Sequence, residues 1–399
     1  LKRTNLKVGL ISLLLGVLLG GMISFGGYKL IISPRNARQA EQQKQRYEAM
    51  LSSQRAEDQR LINQNAQKNH KGNDLNQSVL SENPDDKADK LLDTVARARY
   101  IGTVLAVKDG KVILNQGLGD AIHEQNVANG PNTQYQIGSI QKSLTAVLIM
   151  RLVQQGKLKL SDHIGKFYPQ IKTGNQVTIR NMLDMRSGLM LNTTQTKVLS
   201  DDAIVKFAIN HLNYSKVGTA SYSPVNYVIL AGVVEKLTKQ LYSQQIQDIF
   251  VRPLKLIHTG FMPGLLKERD RALGYSGPMT APYQLIVSWN PVMWNRELGT
   301  GNLYATAGDL FLLQQAMVQG KIISSSSMAT LRHTDDGRYS GGVYNYKSFF
   351  VTHGVIGGHE ATVVMRHDGQ TAVVLMGNHF SNQVQAKALA QKLYQMIAS

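Results

Sequence analysis

Hydrophobic and polar positions change rhythm several times along the chain. An uncharged run, VGLISLLLGVLLGGMISFGGY at 8–28, comes first. Its 21 positions would span about 31 Å as a helix, close to the hydrocarbon thickness of a bilayer. Residues 33–87 are polar and Gln-rich, too poor in large apolar side chains to bury a core. Beyond Leu91, apolar and polar positions alternate on either side of KDGK, and Asp109-Gly110 predicts a two-residue hairpin. ATVVMRHDGQTAVVLMGN repeats that device around Asp368-Gly369. Between the two, apolar spacing is mostly helical, over 139–155, 178–185, 200–213, 224–239, 243–252 and 305–319, with a last helix at 383–397.

Strands at both ends with helices between them predict an α+β fold. Its antiparallel sheet is built from both chain ends, with a helical subdomain on one side. Three segments follow: a membrane anchor at 1–32, a polar stalk or linker at 33–87, and a domain at 88–399. Lys2, Arg3 and Lys7 before the uncharged run put the start of the chain in the cytoplasm and the domain outside, with residues 8–32 meeting the lipid bilayer. A cleavable signal peptide is the other reading of the run, but its apolar core is usually shorter and ends at an Ala-x-Ala-like site, which this sequence lacks.

Charge and composition narrow the partners. The chain has no cysteine, which excludes disulfides, thiolate metal sites and cysteine nucleophiles. Residues 88–399 carry 31 basic against 19 acidic side chains, so the basic character belongs to the domain itself. Nucleic-acid signatures are missing and the export signal argues against that partner. Outside a bacterial membrane, anionic envelope polymers and lipid headgroups are the alternatives to plain solubility charge.

The candidate chemistry begins in QIGSIQKSLTAVLIMRLVQQGKL, at 136–158. Ser139 and Lys142 open an otherwise apolar helix, on one face at i and i+3. The helix dipole and burial both disfavour a charge on that lysine, which suits a general base for the Ser139 hydroxyl. The same terminus offers the Ser139 N–H to an oxyanion. The plain alternative is a capping serine with a snorkelling lysine, since Ser-x-x-Lys arises about once by chance in a chain this long. His359, His367 and His379 lie in strand or turn contexts and make no convincing Ser-His-Asp triad. No zinc spacing or phosphate loop appears, so neither metal nor cofactor is inferred.

The neighbouring blocks add to this. TVLAVKDGKVILNQGLGDA, NTQYQIGSIQKSLTA, GKLKLSDHIGKFYP, VTIRNMLDMRSGL, SYSPVNYVILAGVVEKLT, PLKLIHTGF and LGTGNLYATAGDL occur in this order. Together they closely resemble the β-lactamase-like serine hydrolases: class C β-lactamases, DD-carboxypeptidases (penicillin-binding proteins) and related esterases. The resemblance covers about 95–380 and implies Ser139 as nucleophile, Lys142 as its base and Tyr222 as a proton-transfer partner. Tyr222 precedes Pro224, a residue suited to a helix's first turn, so the phenol stands where a helix dipole favours negative charge.

Two departures from the family pattern stand out. Its Tyr-x-Asn element reads Tyr222-Ser223-Pro224, without the amide that grips an acylamino substrate. Asn226 either substitutes for it or simply caps or faces solvent. Its third element, Lys-Thr-Gly or His-x-Gly, falls on THGVIGG at 352–358; KTG at 172–174, HTG at 258–260 and HDG at 367–369 are decoys. With Gly354 and Gly358 as its glycines, Thr352 takes the cation slot and the Val355 N–H is the second oxyanion donor; shifted by one, His353 takes the slot. Altered in this way, the pattern is similar to the branch that removes D-alanine from teichoic acids.

The uncharged run and the resemblance together imply a membrane-anchored extracytoplasmic serine acyl hydrolase in a Gram-positive envelope. A D-alanyl esterase on teichoic acid is the preferred form, with a DD-carboxypeptidase on peptidoglycan peptides or a β-lactamase as alternatives. From another class, a catalytically silent envelope-binding or antibiotic-sensing protein on the same fold also fits the altered elements.

Overall fold

Asp109 and Gly110 both take positive φ, +47° and +79°, the backbone that a tight two-residue hairpin requires. They join β1 (Gly102–Lys108) to β2 (Lys111–Leu118). The computed structural model describes residues 86–287, 291–381 and 384–398. The anchor expected at 1–32, and the stalk expected at 33–87 apart from its last two positions, lie outside the described residues. Among the described residues no helix is long and apolar enough to cross a membrane.

The rest of the sheet comes from the other end of the chain: β3 (Asp336–Ser340), β4 (Val343–Tyr346), β5 (Phe349–Ile356), β6 (His359–Arg366) and β7 (Ala372–Gly377). The order is β3-β4-β5-β6-β7-β1-β2, antiparallel throughout. β7 pairs with β1 from Gly102↔Gly377 to Val107↔Ala372, which stitches the two chain ends together. Asp368-Gly369 does not form a second two-residue turn. The connection runs over 367–371, because the Asp368 carboxylate accepts from the Gln370 N–H at 2.8 Å and from Arg366 Nε, holding a wider loop. The tight turn lies one strand earlier, where Gly357 and Gly358 (φ +58° and +79°) join β5 to β6.

Every residue of β7 is buried, as a strand covered on both faces demands. Val373 and Leu375 pack under α1 (Asp86–Arg97) and α6 (Ala386–Ala398), against Leu91, Val95, Leu389 and Leu393. Val374 and Met376 face the larger core. That core holds α2 (Gln141–Gln154), α3 (Asp201–Asn210), α4 (Val225–Thr238) and α5 (Ala307–Val318). Most expected helices are present but trimmed; the one at 178–185 shortens to Ile179–Leu183, opened by a Thr178/Asn181 capping box and ended by Met185 at φ +55°. The one at 243–252 is α-helical only over Tyr242–Ile246 and continues as a π-helix over Gln247–Val251, and the last starts later than expected and runs to Ala398. Helix α1 and strands β3 and β4 were not expected: β3 is a short polar edge strand, and α1 begins inside what reads as linker.

Candidate active site

The chain enters α2 through a 3₁₀ turn, Gly138–Ile140. Gly138 takes φ +49°, and a Cβ there would stand 3.0 Å from the Val355 nitrogen, so a side chain would be strained and would crowd the facing strand. Ser139 on this turn is partly exposed and caps nothing; the N-cap positions of the turn and of α2 are Ile137 and Ile140. Its Oγ instead accepts a 2.8 Å hydrogen bond from Lys142 Nζ.

Lys142 is 1% exposed. Its Nζ also donates to the Thr300 carbonyl at 3.3 Å and lies 5.4 Å from the Tyr222 ring centroid. Among the described residues no carboxylate comes within 4.0 Å of it. The loop that presents Thr300 is pinned to the same face of α2. Thr145 Oγ1 donates to Gly299 O at 2.7 Å, Gln141 Nε2 donates to Asn302 Oδ1 at 2.9 Å, and Gln141 Oε1 accepts from the Leu303 N–H. Thr300 Oγ1 in turn donates to Glu297 Oε2 at 2.6 Å. Buried polar groups need partners, and here those partners fix the lysine that touches Ser139.

Strand β5 forms the opposite wall. A Cβ on Gly354 would lie 2.2 Å from Ile137 O and 2.5 Å from Ser139 N, so this glycine is what lets the strand approach the turn. Thr352, two residues back on the same face, is 1% exposed, and its hydroxyl donates to Gly342 O at 3.5 Å. His353 borders the cleft; its Nδ1 pairs with Thr362 Oγ1 at 2.9 Å and its Nε2 lies 3.6 Å from Glu360 Oε1. Burial, and then the nearby Lys387 charge, hold the imidazole down at about 4. Burial pushes the Glu360 carboxyl up to about 7.

Between the walls is a cleft of about 270 Å³ bordered by Ser139, Tyr222, His353, Gly354 and Val355. Tyr222 is 48% exposed and meets Tyr339 edge-on at 5.7 Å. Asn226 stands apart from these residues and does not replace the missing amide. It is 1% exposed inside α4, and its Nδ2 donates to Ser223 O at 3.0 Å. His359 is buried edge-on to Tyr135, His367 pairs with Tyr346 O and His379 with Gly277 O, all away from the cleft. Among the described residues no group of three or more His, Asp or Glu side chains is placed to hold a metal ion.

Sequence reasoning missed Thr300, Tyr339, Tyr344 and Lys387. Thr300 lies in a recognisable block, LGTGNLYATAGDL, but a carbonyl leaves no side-chain signature. The two tyrosines sit on unexpected strands, and Lys387 reaches the cleft from α6, far along the chain. An alcohol touching an amine, a phenol beside them and backbone N–H groups from two elements are the components that acyl transfer requires.

Comparison with known proteins agrees with that chemistry. The sequence matches the Beta-lactamase family over residues 88–395. It is 27% identical over 316 residues to PbpX of Bacillus subtilis (strain 168), whose name places it among penicillin-binding proteins; the match covers 78% of this chain and 79% of that one. It is 30% identical over 251 residues to the teichoic acid D-alanine hydrolase of Staphylococcus aureus, covering 62% of this chain and 61% of that protein. The crystal structure of FmtA from Staphylococcus aureus aligns with a TM-score of 0.71 at 25% identity, over 85% of this chain and 93% of that one. The D-amino acid amidase of Ochrobactrum anthropi SV3 shares the fold, with a TM-score of 0.66 at 19% identity over 79% of this chain and 99% of that one. With a hydroxyl–amine pair at its centre and this match over most of its length, the chain belongs to the Beta-lactamase family of serine hydrolases.

Proposed function

We propose that this protein is a serine esterase that releases D-alanine from teichoic acid at the outer face of a Gram-positive cell envelope. The observation that carries the reading is the 2.8 Å contact of Lys142 Nζ with Ser139 Oγ, beside a cleft bordered by Tyr222 and Val355; read with Gly354 as the family element's glycine, Pro224 and Thr352 stand where the family has its amide and strand cation. Ser139 Oγ attacks the D-alanyl carbonyl carbon as its proton passes to Lys142. The Ser139 and Val355 N–H groups face the oxygen that gains the negative charge. Collapse breaks the ester C–O bond, and the departing polyol oxygen takes a proton relayed through Lys142 and Tyr222. Water then attacks the acyl-enzyme by the same route in reverse, frees D-alanine and restores Ser139. An ester on a polyol has no acylamino group to grip, which fits Pro224. The similarity to a teichoic acid D-alanine hydrolase supports the substrate. The uncharged run at 8–28 would tether the domain beside its polymer.

Intact-mass spectrometry after incubation with D-alanylated teichoic acid, a muropeptide or penicillin tests the reading. A D-alanyl adduct on Ser139 from the polymer, absent in Ser139→Ala, is expected. An adduct from penicillin or muropeptide alone would transfer the assignment to the penicillin-binding or carboxypeptidase alternatives, and none from any of the three would favour a silent sensor.

A further inference from the structure

The cleft contains a cation that the reaction above does not use. Lys387, in the first turn of α6, borders the same cleft as Ser139, and its ammonium sits 3.9 Å from the Tyr344 ring centroid. On its other side is a second hollow shared with His353 and Glu360. Among the described residues no carboxylate lies within 4.0 Å of the ammonium. Lys387 is half-buried, and that burial pulls its proton affinity down. Glu360 is a weak competitor for it, because burial keeps that carboxyl protonated up to about 7. A partly desolvated cation held over an aromatic face, without a carboxylate partner among the described residues and open to a nucleophile's cleft, is arranged to receive an anion.

We infer that Lys387, backed by Tyr344 and His353, is an anion-binding corner that grips a phosphate of the acyl-bearing polymer. This rests on the esterase reading above. In a polyol phosphate chain the charged phosphodiester lies only a few bonds from the acylated hydroxyl, so scissile ester and anion must enter one cleft together, as Ser139 and Lys387 do. A peptide carboxylate is the other anion to consider. It is planar and is best matched by a two-pronged guanidinium or by a cation in the strand slot, where this chain has a buried threonine. A phosphodiester presents one spread charge, which a lysine serves as a point charge.

Calorimetric titration of undecorated poly(glycerol phosphate) onto the full chain carrying Ser139→Ala reads the corner without turnover. Adding Lys387→Ala is expected to weaken binding about tenfold and to flatten its salt dependence. Lys387→Arg should restore most of the affinity, and Lys157→Ala, at an exposed lysine just beyond the C-terminal end of α2, should change it less than twofold. With Ser139 present and D-alanylated polymer as substrate, Lys387→Ala should raise KM about tenfold with kcat within about twofold. Unchanged polymer affinity in Lys387→Ala overturns the inference, as does a loss matched by Lys157→Ala. An equal or larger loss toward N-acetyl-D-alanyl-D-alanine, or toward phosphatidylglycerol vesicles, overturns the choice of polymer phosphate. If the unaltered chain forms no acyl-enzyme at all, the esterase reading fails, while the titration still decides whether Lys387 holds the polymer.

Discussion

The two walls of the cleft are built by opposite means. On the α2 side the buried polar side chains that open the helix are answered: Gln141, Lys142 and Thr145 all bond to the loop at 299–303, and Ser143 receives a bond from Gln314. On the β5 side Thr352 is sealed in, His353 and Glu360 are pushed by burial toward their uncharged forms, and Lys387 has no carboxylate partner among the described residues. A wall cross-bonded in this way holds reacting atoms still. A wall with charge to spare has something to offer a ligand. The contrast separates the groups that make and break bonds from those that choose what is cut, and perturbing each wall in turn tests the separation.

The largest effects belong to the α2 wall. Ser139→Ala and Lys142→Met are each expected to lower D-alanine release from the polymer by at least about 10³-fold. Circular dichroism should show both variants folded, since Met fills nearly the lysine's volume without a polar group to bury. A Lys142→Met enzyme that keeps a tenth of its activity would end the general-base role.

Gly354→Ala comes next and probes where the walls touch. The new Cβ would meet Ile137 O at 2.2 Å and Ser139 N at 2.5 Å, and both are backbone atoms that cannot swing aside. The turn has to move, at a cost of about 1–3 kcal/mol in stability and about 10² in kcat. A thermal melt and initial rates on one preparation decide it: wild-type kcat in a normally folded protein would mean that the turn need not be tightly placed.

How much of this was legible in the chain follows the same division. The Asp109-Gly110 hairpin, the helical stretches and the pairing of the chain ends come from periodicity and turn chemistry, which are local. Ser139 and Lys142 share one turn of helix, so spacing alone puts them in reach. Gly354 was legible only through its family element, and its contact with Ser139 depends on register across the sheet. Lys387 lies some 250 residues from Ser139, and only tertiary packing joins them. Asn226 failed for a related reason: two residues after Pro224 it has already turned into α4 and faces the core.

Thr300→Val is a gentler cut into the α2 wall. It removes the 2.6 Å bond to Glu297 and leaves the carbonyl that holds Lys142. Stability should fall by about 1 kcal/mol and kcat by about tenfold, with KM nearly unchanged, because the loss is one of positioning rather than of substrate contact. A change confined to KM would place Thr300 among the groups that select substrate.

The smallest effect on turnover, and the sharpest test of the β5 wall, is Glu360→Gln read as stability against pH. His353 titrates near 6.5 when unfolded and about 4 when folded. Its contribution is complete above 6.5 and is lost as pH falls toward 4, because the buried imidazole resists charging. Glu360 titrates near 4.5 when unfolded and about 7 when folded. Its folded state is favoured below 4.5 and loses ground as pH rises through 7. Between about 4.5 and 6.5 the two slopes oppose each other, so this pair leaves the native protein nearly level. Gln cannot ionise, so the variant keeps only the histidine slope and should gain about 1–2 kcal/mol from pH 4.5 to 6.5 relative to wild type. Denaturant melts across that range measure it. A variant whose pH profile parallels the native one would mean that Glu360 is not held away from its charged form, and the contrast between the two walls would then rest on His353 and Lys387.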